Sequence, residues 1–164
     1  MVNSDETSCQ RAAQTAAAMF ESGFYCAESV LLALAEENNK TTKDLSRLMT
    51  GMCAGLCRSG GPCGALLGAM AAFGLLFGRD KQADPKDTVY ALGYHMTQKF
   101  EQEFGSTLCS GVLGCDISTV EGAAIFTEKN LGTTRCQEVT AKAAFLAQEL
   151  IDSHETLVHP ILET

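Results

Sequence analysis

Residues 64–78 read GALLGAMAAFGLLFG, an apolar stretch with no charge, closed by Gly78 and followed by Arg79-Asp80. The run Ala65–Phe77 falls short of the about 20 apolar residues that a membrane-spanning helix needs, so it predicts a helix buried in a protein core. Gly78 is a good C-terminal stop for it.

The segments on either side repeat at helical period. Cys9, Ala12, Ala16, Met19 and Phe20 recur at spacings of three and four, and Gly23 ends that run. Ala27, Val30, Leu31 and Leu34 predict a second helix from about Tyr25 to Glu37, and a short third is expected around Thr42 to Met49, after Asn38-Asn39-Lys40. Beyond Gly78, Asp84-Pro85 reads as an N-cap with proline at the first helical position. The stripe that follows is Val89, Leu92, Met96 and Phe100, ended by Gly105. Ser118 to Glu121 and Thr134 to Gln137 read as capping boxes that open two more helices. The last carries Val139, Ala143, Leu146 and Leu150. No strand-like alternation occurs. The expected class is all-α: a single domain over residues 1–164, a bundle of about six to seven helices, with a loosely held tail from about residue 154.

Composition narrows the partners. The chain has 164 residues, 46% hydrophobic and 20% charged, which is globular and large enough to bury a core without covalent staples. Twelve basic against 20 acidic residues give a net charge of -8. That sign opposes nucleic acid, which needs a basic patch, and disfavours an anionic membrane surface. The polar start MVNSDETSCQRAAQT lacks the pattern of a signal peptide, so a cytoplasmic protein with no membrane insertion is expected. In a reducing cytosol its eight cysteines are ligands, catalytic groups or small core residues rather than disulfides.

The cysteines show no C-x-x-C, no haem-attachment C-x-x-C-H and no ferredoxin spacing, so spacing alone assigns no metal. Position along the helices says more. Cys26 opens the second helix, Cys63 precedes the apolar one, and Cys136 falls in the first turn of the last, facing the interior. The partial positive charge of a helix N-terminus is expected to lower a thiol pKa there. Cys109 is expected in the loop after Gly105, at the same end of an antiparallel bundle as Cys63. Eight of the 15 glycines fall between residues 51 and 78. They allow two readings: backbone N–H groups approaching a bulky group, or tight helix packing through Gly64 and Gly68.

Tyr25-Cys26-Ala27-Glu28-Ser29-Val30, Cys63-Gly64-Ala65-Leu66-Leu67-Gly68, Phe104-Gly105-Ser106-Thr107-Leu108-Cys109 and Arg135-Cys136 together resemble the redox-active C-GCAxxG-C-C family. The resemblance spans about Ala16 to Ile151. It implies a small helical protein with four characteristic cysteines, matching Cys26, Cys63, Cys109 and Cys136. A similar helical module is the iron–sulfur domain of split-Soret cytochromes, where it holds a [2Fe–2S] centre. Cys53, Cys57 and Cys115 are additional to the four, and Cys115 is the substitute ligand or nearby redox thiol to consider.

The resulting expectation is an electron carrier without bond-making catalysis. Metal ligands would come from Cys26, Cys63, Cys109, Cys136 and Cys115. Gly61 and Gly64 would offer N–H groups, and Arg58 would offset the cluster's charge. The cofactor would be an iron–sulfur cluster, [2Fe–2S], and the partner a redox protein. The alternative is a cluster-free protein, either binding zinc through four thiolates or forming a disulfide at Cys109–Cys115 or Cys53–Cys57. Cys9 reads as a small buried residue and His95 as structural. His154 and His159 are expected in a solvent-exposed tail. A homodimer is expected from small-residue helix surfaces.

Overall fold

The computed structural model describes residues 6–161; residues 1–5 and 162–164, the two ends of the expected domain, lie outside the described residues. Among the described residues there are nine helices and no strand: α1 (Ser8–Glu21), α2 (Cys26–Glu37), α3 (Leu45–Thr50), α4 (Cys53–Arg58), α5 (Gly64–Phe77), α6 (Asp87–Phe104), α7 (Cys109–Leu113), α8 (Val120–Glu128) and α9 (Gln137–Asp152). The protein is an all-α bundle. The count exceeds the expected six to seven because α4 and α7 have six and five residues, too few for a helical period to show.

The stretch that decides the fold does form the buried helix: α5 runs from Gly64 to Phe77 and ends at Gly78. It packs on α2, α6 and α9, while α1 lies along α9 and α2. The core is filled by Val30 and Leu34 of α2, Phe73 of α5, Leu92, Met96 and Phe100 of α6, and Leu150 of α9. Gly68 is required by the α2–α5 crossing. A Cβ there would stand 2.6 Å from the Ala27 carbonyl oxygen and 2.9 Å from Val30 Cβ. Gly74, on the same helix, has nothing within 4 Å and is exposed. Gly74→Ala is therefore expected to raise stability by about 0.5–1 kcal/mol, read as a higher denaturation midpoint, because glycine in a helix interior costs that much against alanine.

Three expected helix starts move. Asp84-Pro85 does not open α6, since the Asp84 carboxylate accepts the Asp80 and Lys81 N–H groups at 3.1 and 2.9 Å; Lys86 is the N-cap. At α8 the cap is Thr119, whose hydroxyl accepts the Gly122 N–H, while Ser118 donates to Asp116. Thr134 caps nothing. It donates to the Asn130 carbonyl inside a π-helical turn, Gly132–Cys136, that runs straight into α9.

The described part of the expected tail makes contacts with the bundle at residues 154–158. His154–Thr156 forms a 3-10 turn with the His154 ring 4.6 Å from the Phe77 ring, and Leu157 packs on the core. His95 Nε2 donates to the Val158 carbonyl at 3.0 Å. His154 is thus half-buried rather than solvent-exposed. Among the described residues no helix is long and apolar enough to cross a membrane.

Candidate functional site

Two backbone hydrogen bonds bring the central cysteines together. The Cys63 N–H donates to the Thr107 carbonyl at 2.8 Å, and the Cys109 N–H donates to the Gly61 carbonyl at 3.1 Å. They form an isolated antiparallel bridge centred on Pro62 and Leu108. Cys63 is the N-cap of α5, and Cys109 is the first residue of α7 rather than a loop residue. Cys136 closes the π-helical turn, which the neighbouring Arg135 fastens to α7 by donating from Nε to the Val112 carbonyl at 3.1 Å. Cys26 opens α2, and its sulfur lies 2.5 Å from where a Cβ on Gly64 would be. Only glycine lets the thiol pass over α5.

These four thiols line one cavity of about 450 Å³, a volume in the usual range for small-molecule and cofactor sites. Phe20, Phe24, Val112, Ile117, Phe126 and Val139 make most of the remaining wall apolar. Among the described residues no three His, Cys, Asp or Glu groups are placed to hold one metal ion. The thiols surround a space instead.

Their electrostatics reverse one sequence expectation. Burial pushes Cys63 up to about 11; the N–H groups of Ala65 and Leu66 pull the other way without prevailing. Cys109 is also raised to about 11, by burial first and then by Cys115 and Asp116. Cys136 is raised to about 12 by burial, then by Cys63, Cys109 and Cys115. Loss of solvation outweighs the helix ends, and Cys136 has no free helix end at all because the π-turn precedes it. Cys63 thus feels the charge of Cys109, Cys109 that of Cys115, and Cys136 that of all three. The cation that opposes these shifts is Arg135, at both Cys63 and Cys136.

Beside the cavity the backbone turns left-handed. Ala54, Gly55, Leu56, Cys57 and Arg58 all have positive φ, between 48° and 64°. Each non-glycine residue held this way costs roughly 1–2 kcal/mol, and such strain survives only where its surroundings impose it. The Gly55 carbonyl imposes part of it, accepting N–H groups from Ser59 and Gly61 at 3.2 and 3.1 Å. Packing imposes the rest: Ala54 leans on the apolar cluster of Cys109, Cys115 and Ile117, and Leu56 covers Gly61. Of the two readings of the clustered glycines, helix packing holds at Gly68, whereas Gly55 and Gly64 make room for cysteine side chains.

Several expected site residues are displaced from their roles. Gly61 does not line the cavity; its N–H donates to Gly55 and its carbonyl accepts from Cys109, so it has nothing left to offer a cofactor. Cys115 is buried in the wall next to Cys109, off the cavity lining. Arg58 does line the cavity but is exposed, and Arg135 carries the charge that acts on the thiols. The thiol of Cys57 donates to the Gly51 carbonyl at the surface. Cys53 is buried against α2, not paired with Cys57. Its pKa is raised, foremost by hydrogen bonding to Cys26 and then by burial, with the Glu28 and Ala27 N–H groups opposing.

Sequence reasoning missed Glu28, although a lone acid in the apolar run Ala27–Ala35 was a usable signal. Its buried carboxylate accepts the Tyr25 N–H at 2.8 Å and the Thr50 hydroxyl at 2.6 Å. It thereby ties the start of α2, with Cys26, to the end of α3, just before Cys53. Glu28→Ala is expected to cost about 1–3 kcal/mol, because it removes the charged acceptor of two hydrogen bonds, and to speed alkylation of Cys26. An unchanged melting midpoint with unchanged labelling counts against this role.

Residues 24–150 match the model of the family described as "Putative redox-active protein (C_GCAxxG_C_C)". No curated protein and no solved structure matches the chain.

Proposed function

This chain belongs to the C-GCAxxG-C-C family of redox-active proteins, and on that premise we propose that it is an electron carrier whose Cys26, Cys63, Cys109 and Cys136 hold an iron–sulfur cluster, [2Fe–2S]. The observation that carries the reading is the meeting of four thiols, from four separate parts of the chain, on the wall of one cavity. Cysteine thiolates are the donors such clusters take, and a cavity of about 450 Å³ has room for a group of several atoms. The donor set and the space fit the group.

When bound, a cluster supplies one-electron chemistry. The protein's own residues do the rest. The cysteines give up their protons on metal uptake, which the burial of Cys63, Cys109 and Cys136 opposes and a cation's charge overcomes. Arg135 offsets the negative charge then gathered at Cys63 and Cys136. Phe20, Phe24 and Phe126 limit water, and burial of this kind helps to set a potential. The electron would pass to or from a partner redox protein.

Anaerobically purified or reconstituted protein tests the reading through iron, acid-labile sulfide, visible absorption and EPR after reduction. Iron and sulfide in equal amounts are expected. Content should fall several-fold in Cys63→Ser and Cys136→Ser and hold in Cys57→Ser. Colourless protein with neither element, or protein holding zinc alone, overturns the proposal.

A further inference from the structure

Cys53 belongs neither to the cavity lining nor to the surface, yet it shares a neighbour with the site. The point where a Cβ on Gly64 would sit is 2.5 Å from Cys26 Sγ and 3.2 Å from Cys53 Cα. Both cysteines therefore crowd the same spot at the start of α5. A disulfide needs Cα atoms about 4.4–6.8 Å apart, and the shared point at Gly64 puts the Cys26 sulfur close to the Cys53 Cα. Cys26 is foremost among the groups that raise the Cys53 pKa, ahead of burial, while the Ala27 and Glu28 N–H groups in the first turn of α2 lower it. The Cys53 thiol donates a weak hydrogen bond to the Met49 carbonyl at 3.4 Å.

We propose that Cys26 and Cys53 form a reversible disulfide, made by exchange with a low-molecular-weight disulfide of the glutathione class. Access sets the order of events. Cys26 faces the cavity, whereas Cys53 is only 4% exposed. The Cys26 sulfur attacks the small disulfide, breaking its S–S bond and releasing one small thiol. The Cys53 sulfur then attacks the mixed disulfide, releasing the second. One S–S bond is broken and one formed; the small disulfide is reduced, the cysteine pair is oxidised, and the two thiol protons leave on the two small thiols. Resting on the proposed function, one consequence follows: oxidation withdraws Cys26 from the cluster ligands, so disulfide and cluster exclude each other.

The test is linkage mapping of the full chain, metal-free and reconstituted, after exposure to oxidised glutathione, by alkylation and mass spectrometry of unreduced peptides. In the metal-free chain the dominant cross-link should join Cys26 to Cys53, and reconstitution should lower it at least tenfold. Cys53→Ala should lose the link and leave Cys26 glutathionylated. A dominant link between other cysteines, or wild-type Cys26 left glutathionylated with Cys53 still alkylatable, overturns the proposal. A Cys26–Cys53 link that forms equally in loaded protein upholds the redox pair while removing Cys26 from the cluster ligands.

Discussion

Gly55→Ala is expected to lower stability by about 2–5 kcal/mol and to disorganise the end of the bundle that holds Cys63 and Cys109. Two costs coincide at this residue. Its φ of +60° adds roughly 1–2 kcal/mol for any side chain. The new Cβ would also stand 2.6 Å from Cys109 Cβ, an overpacking worth about 1–3 kcal/mol more. The cysteine cannot step aside, because its N–H is bound to Gly61, which is itself bound to Gly55. Denaturant midpoints measure the loss, and faster alkylation of Cys109 locates it. Cys57→Gly should act in the opposite direction. At φ +58° and exposed, it relieves about 1–2 kcal/mol of strain against about 0.4–1 kcal/mol of added freedom in the unfolded chain. A Gly55→Ala protein as stable as the parent would mean that the left-handed turn does not press on Cys109.

The metal-free protein is expected to lose several kcal/mol of stability as pH rises from about 9 to about 11. Cys63 titrates near 9.0 in the unfolded chain and about 11 in the folded one. Between those values the unfolded chain has released a proton that the folded chain keeps, so the unfolded state binds fewer protons and stability falls with pH. The contribution is present in full below pH 9 and gone once pH passes about 11. At about 1.4 kcal/mol per pKa unit, Cys63 alone accounts for a few kcal/mol. Cys109 acts over the same window, and Cys136 extends it to about 12. The contributions are not additive, since each ionised thiol hinders the next. Denaturant midpoints from pH 8 upward check the slope, and a flat profile refutes it. Metal loading should abolish the slope, because the coordinating thiols have then already lost their protons.

Part of this molecule could be read residue by residue. The apolar run Gly64–Phe77 and its Gly78 stop depend only on neighbours in the chain, and α5 has those bounds. Cys26 at the start of α2 and Cys63 at the N-cap of α5 were legible for the same reason. The boundaries that moved each had a rival bonding partner close by. Asp84 could cap a helix or bind the Asp80 and Lys81 N–H groups, and the loop won. The extra helices α4 and α7 are too short to leave a periodic signature.

Local pattern, then, was enough for an all-α chain whose cysteines sit at or near helix ends, because hydrophobic period and capping act over a few residues. Whether those sulfurs share a space depended on contacts between residues far apart in sequence: the Cys63–Thr107 and Cys109–Gly61 hydrogen bonds, the hold of Arg135 on Val112, and Cys26 lying over Gly64. The left-handed turn at Ala54–Arg58 is of the same kind. Alanine, leucine, cysteine and arginine have no local preference for positive φ, so only the packing around them could impose it. The direction of the thiol pKa shifts was settled likewise by burial, a property of the assembled bundle that no single segment carries.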